Sequence, residues 1–112
     1  MKKVIKKENW KLAGNVTVDA GIVHIGDPCY LLQSAPTKTW RQYRDEIKMN
    51  KNYNELNHKR GPGLGVVVSS GLGDGIYQVY VKEVNLKRAG KRVAEAKIVF
   101  LDEDMISEWN KT

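Results

Sequence analysis

The stretch Ile76-Tyr-Gln-Val-Tyr-Val-Lys-Glu-Val84, with Lys87-Arg-Ala-Gly-Lys91 and Val93-Ala-Glu-Ala-Lys-Ile-Val-Phe-Leu101 after it, decides the fold class. Tyr77, Val79 and Val81 alternate with Gln78, Tyr80 and Lys82, the period of a strand. Lys87 to Lys91 reads as a hairpin turn with Gly90 at a positive-φ position. The answering strand sets Ala94, Ala96, Ile98 and Phe100 on one side and Glu95, Lys97 and Val99 on the other. A β-rich protein follows.

Upstream, Val16-Thr-Val-Asp-Ala-Gly-Ile-Val-His-Ile-Gly-Asp-Pro-Cys-Tyr30 reads as a strand, a tight turn and a second strand. Trp10 to Ile25 is expected to form a hairpin, with Trp10 and Leu12 entering the core. Pro28 then breaks the strand. Thr37 can cap a helix over Lys38 to Met49, whose Trp40, Tyr43 and Ile47 make one apolar stripe. Asn50 to Gly65 reads as a polar, Gly-rich loop, and Val66 to Ser70 as a short buried strand. Met105 to Asn110 is expected to make a last helical turn that lays Trp109 on the sheet. The expected architecture is α+β and β-rich: a mostly antiparallel or small barrel-like sheet system uniting residues 16–25 and 76–101, with one packed helix.

The 112 residues read as a single domain, 1–112, with residues 1–8 as a basic, flexible arm. Nothing in the sequence approaches the length of a membrane span or a secretory signal. The lone Cys29 has no partner for an internal disulfide, which favours a reducing cytoplasm. The 19 basic residues exceed the 13 acidic ones by 6. This excess is spread over three segments, so it suits an anionic partner without forming a nucleic-acid motif. The tail after Leu101 is acidic. An oligomer is compatible with the sequence, which does not by itself predict one.

Two Gly-Asp turns stand out, Gly26-Asp27 and Gly73-Asp74, each followed within three residues by a tyrosine, Tyr30 and Tyr77. They are expected to border one pocket. Asp27 and Asp74 could bind ribose hydroxyls, or each could cap its own turn by accepting backbone N–H groups. Neither turn has the acid spacing of a calcium loop, so no metal is expected. Tyr30, Tyr77 and Tyr80 could stack on a base; Tyr77 and Tyr80 point to opposite faces of one strand. The run Asn57-His58-Lys59-Arg60-Gly-Pro-Gly-Leu-Gly65 could hold a phosphate through its cations and backbone N–H groups, though it lacks the Walker order. Cys29 with His24 or His58 carries no signature of a nucleophile and base, and no catalytic set or cofactor is expected.

The blocks Val18-Asp-Ala-Gly21, Gly26-Asp-Pro-Cys-Tyr30, Gly73-Asp-Gly-Ile-Tyr77 and Val93-Ala-Glu-Ala-Lys-Ile-Val-Phe100 resemble a family of small, largely uncharacterised phage and prophage proteins. The resemblance spans about Trp10 to Asp102. Relatives carry a loop of the form GHAGLGV where this chain has His58-Lys-Arg-Gly-Pro-Gly-Leu-Gly-Val66. The resemblance implies a phage-like origin and a β-rich fold with one helix, and it transfers no catalytic residues. Joined to the residue reading, it implies a binding protein that sequesters a nucleotide-like host immune signal in the host cytoplasm. Asp27, Tyr30, His58, Lys59, Arg60, Asp74 and Tyr77 would form its site. A protein-binding inhibitor of a host factor, through Arg41, Arg44 and Lys48 or the N-terminal lysines, is the alternative. A small hydrolase using Asp27, Cys29 and a histidine is the third reading, and nucleic-acid binding ranks last.

Overall fold

A computed structural model describes residues 9–29, 51–58 and 61–111. Among the described residues six strands run in chain order: β1 (Trp10–Val18), β2 (Ile22–Ile25), β3 (Tyr53–His58), β4 (Gly61–Ser69), β5 (Gly75–Leu86) and β6 (Gly90–Val99). A short helix, α1 (Glu103–Trp109), follows them. The strands form two sheets, ordered β1-β5-β6 and β2-β4-β3. Every pairing among these six strands is antiparallel, and the fold is α+β and β-rich. The helix expected over 38–49, with its Trp40, Tyr43 and Ile47 stripe, lies outside the described residues.

The described residues fall into two compact units, divided between Val18 and Asp19 and again between Gly73 and Asp74. The first unit holds β1, β5, β6 and α1. Its central strand, β5, is the Ile-, Tyr- and Val-rich segment whose alternation is clearest in the sequence. The β5–β6 hairpin closes as expected, pairing Leu86 with Gly90, and Gly90 sits at φ 78°. Two bulges adjust the sheet. One falls between Leu12 and Gly14, the other where Lys82 and Glu83 face Glu95 and Val93. Each inserts one residue and bends its strand.

One face of this sheet carries Gln78, Tyr80 and Lys82 of β5. Asn15, Leu12 and Trp10 stand opposite them on β1, and Val99, Lys97 and Glu95 on β6. The other face carries Tyr77, Val79 and Val81. Tyr77 meets Phe100 edge to face, with ring centroids 5.2 Å apart, a preferred aromatic geometry. Leu12 does not enter a core: it is 55% exposed. Trp109 does not lie on the sheet either, being 70% exposed. α1 buries no residue and is fixed locally instead. Asp102 Oδ1 accepts the Met105 N–H at 2.9 Å, and Glu103 and Asp104 fill the first turn. An N-cap with acids at the positive end of the dipole explains a helix here without a buried face.

The second unit centres on β4, flanked by β2 and β3. Val67 is fully buried at its middle. The expected 50–65 loop is instead largely strand: Tyr53, Asn54 and Glu55 pair with Val68, Val67 and Val66, and His58 pairs with Gly61. The Asn- and Gly-rich composition concealed a hairpin because backbone pairing to β4, rather than side-chain type, holds β3. β4 is accordingly longer than the Val66–Ser70 strand expected.

The expected Trp10–Ile25 hairpin does not form. Val18 pairs with Gly75 of β5 and Ile22 with Ser69 of β4, so Asp19-Ala-Gly21 passes the chain from one sheet to the other. The Asp-Ala-Gly turn and Gly21 at φ 70° serve either connection equally well. What decides is the partner: β5 offers β1 a register from Trp10 to Val18, which the four-residue β2 cannot match. Ser70, fully buried, secures the return: its N–H donates to Gly21 O at 3.0 Å and its hydroxyl to Gly73 O at 2.6 Å.

Candidate functional site

One face of the first unit's sheet bears Gln78 and Tyr80. Together with the start of α1 it encloses a groove of about 750 Å³, within the range of small-molecule sites. β1 supplies Trp10 and Asn15, β5 supplies Gln78 and Tyr80, β6 supplies Lys97, and Met105 of α1 closes one side. The strand residues among them converge because cross-strand partners in every second row of the ladder point to the same face.

The geometry is specific. Lys97 Nζ lies 4.1 Å from the centroid of the Trp10 ring, a cation–π contact. The Tyr80 hydroxyl donates to Gln78 Oε1 at 2.6 Å. That bond leaves the Gln78 amide group to donate elsewhere and the Tyr80 oxygen to accept. The groove therefore combines aromatic rings, an ammonium, two carboxamides, Asn15 and Gln78, and the Asp102 carboxylate, whose Oδ1 is engaged by the Met105 N–H. It has the parts to stack on a planar ring, hydrogen-bond its edge and neutralise an anion.

Of the residues expected to form a site, Tyr77 borders this groove, from the β5 position next to Gln78 and with its ring set against Phe100 rather than on the Gln78–Tyr80 face. Asp74 belongs to the same unit, at the turn before β5. Asp27 belongs to the other unit, where its Oδ1 accepts the Cys29 N–H at 2.8 Å and closes its own turn. The His58 backbone ends β3. Tyr30, Lys59 and Arg60 lie outside the described residues. Trp10, Lys97 and Gln78 were not expected in the site. Their signal was present in the alternation of β5 and β6, but only the register shows that they meet.

In the second unit, His24 packs against two glycines. A Cβ on Gly65 would collide with His24 Nε2 and stand 2.9 Å from Ile25 O, and one on Gly26 would stand 3.0 Å from Nε2. Burial lowers the His24 pKa below its usual 6.5. Cys29 is exposed. Among the described residues no three His, Cys, Asp or Glu side chains gather as a metal site, and no helix is long and apolar enough to cross a membrane. No protein-family model, curated protein or solved structure matches this chain.

Proposed function

We propose that this protein is a non-catalytic binding protein for a nucleotide-like ligand, whose base seats in the groove beside Trp10 and Tyr80. The observation that carries the reading is the Lys97 ammonium held over the Trp10 ring at the groove wall. A base stacked nearby leaves its phosphate within reach of that cation, and base–aromatic stacking is worth about 1–3 kcal/mol per base. The oriented Gln78 amide supports the same reading by offering a donor to an acceptor on the base edge. Sequestration of such a ligand as a host signal, by a protein of phage origin, is the biological form of the proposal and rests on the sequence resemblance.

Isothermal titration with a panel of mono- and cyclic nucleotides, followed by heating and chromatography of the released ligand, tests it. The proposal expects saturable binding at one site per chain and recovery of unaltered nucleotide. Recovery of a hydrolysed product would make the protein an enzyme instead. Absence of heat with every nucleotide would leave the protein-binding alternative, for which the exposed Trp109 on α1 is the natural contact.

A further inference from the structure

We infer that the groove is one end of a longer track on the β1-β5-β6 sheet, and that the nucleotide seated in it belongs to a single strand of nucleic acid that runs along the track. The inference rests on the groove being a seat for a base.

The register carries it. Tyr80 stands opposite Lys97, Lys82 opposite Glu95 with Trp10 on its other side, and Val84 opposite Arg92. These three rows share one face, because β5 residues two apart point the same way. Successive rows are about 7 Å apart along the strand, a step comparable to one nucleotide of an extended backbone. Each row holds one cation: Lys97, Lys82, then Arg92. The aromatic residues stand in the first two rows. Such a face, rings for bases beside a line of cations for phosphates, is how sheets bind single strands without reading sequence. The hairpin end beyond the third row adds the exposed Lys87 and Arg88.

Charge pairing points the same way. The two acids of this hairpin are already engaged, Glu83 with Lys11 at 3.6 Å and Glu95 with Lys82 at 3.5 Å. Among the described residues no carboxylate pairs with Lys97 or Arg92. The Arg92 guanidinium donates to its neighbour's carbonyl, Lys91 O, at 2.9 Å and keeps its charge for an outside anion. Two carboxylates oppose the cations: Asp102 lines the groove end, where its Oδ1 caps α1, and Glu95 stands in the second row, where a phosphate arriving at Lys82 must displace it.

The test is fluorescence anisotropy with end-labelled oligothymidylates of two to ten nucleotides, a duplex of ten base pairs, and a labelled mononucleotide. Affinity should rise with length to about four nucleotides, one beyond the three rows, and then level off. Three phosphates neutralised on a single strand give a log–log salt slope near −2, or about a twentyfold loss of affinity between 50 and 200 mM salt. R92Q should flatten that slope by about 0.7 and leave the mononucleotide unaffected. E95Q should tighten oligonucleotide binding severalfold. A decamer that binds no tighter than the mononucleotide overturns the track and leaves the groove standing. A duplex that binds as tightly as the single strand also overturns it. No binding of any of these probes overturns the track and the groove reading together.

Discussion

The Lys97 ammonium lies 4.1 Å from the centre of the Trp10 ring, although their strands are not neighbours: β5 runs between β1 and β6. The contact therefore bridges the sheet over its central strand and makes one wall of the groove. An exposed cation–π contact of this kind contributes about 0.5–1 kcal/mol.

Lys97→Gln should lower stability by that amount, roughly 0.5–1 kcal/mol, in urea denaturation. In a Trp10→Leu background the same substitution should cost nothing further, since a cycle isolates the pair term. Equal costs in both backgrounds would mean that the ammonium is merely solvated.

Gly65→Ala should destabilise the second unit by about 1–3 kcal/mol, as overpacking does, because the new methyl meets His24 Nε2 and the Ile25 carbonyl. His24→Ala should relieve part of this, the backbone clash at 2.9 Å remaining. Thermal melts of the single and double variants check it. A Gly65→Ala protein that melts like the parent contradicts the packing of His24 on the glycine.

The same histidine sets a pH dependence. Burial holds its folded pKa below 6.5, so as pH falls through 6.5 the unfolded chain takes up the proton first. Stability is full above 6.5 and is lost as pH falls toward the folded value, with no further loss from this group below it. Denaturation midpoints from pH 7.5 to 4.5 should show this slope, and His24→Gln should remove His24's share of it. A midpoint that rises on acidification through 6.5 would reverse the sign.

The hairpin of β5 and β6 and the turn at Gly90 were legible in the sequence, because alternation and a positive-φ glycine are local signals. The β3–β4 hairpin was not, because Asn54 and Gly65 lack strand propensity and are held by backbone pairing, Asn54 opposite Val67 and Gly65 opposite Leu56. Asp19-Ala-Gly21 was read as a turn but joined to the wrong partner, since turn chemistry does not name the sheet on the far side. The site shows the same division. Trp10 reads as a core residue and Lys97 only as one side of an alternating strand, and only the register of β1 and β6 on β5 brings them together.

Asp27→Ala should lower the melting temperature, at a cost of about 1 kcal/mol for one hydrogen bond, and leave nucleotide affinity unchanged. Its carboxylate closes the turn to Cys29 N at 2.8 Å, and the groove is walled by Trp10, Tyr80 and Lys97. The opposite result, unchanged melting with weakened binding, would give Asp27 a role on the ligand's ribose.

The most direct measurement is an NMR titration of isotope-labelled protein with a nucleotide or a short oligonucleotide. The account predicts that the Trp10 indole N–H, the Gln78 side-chain amide and the backbone amides of Tyr80 and Lys97 shift together along one binding curve. The amides of Val67 and Ile25 should stay in place. Shifts confined to β2, β3 and β4, or none at saturating nucleotide, would contradict it.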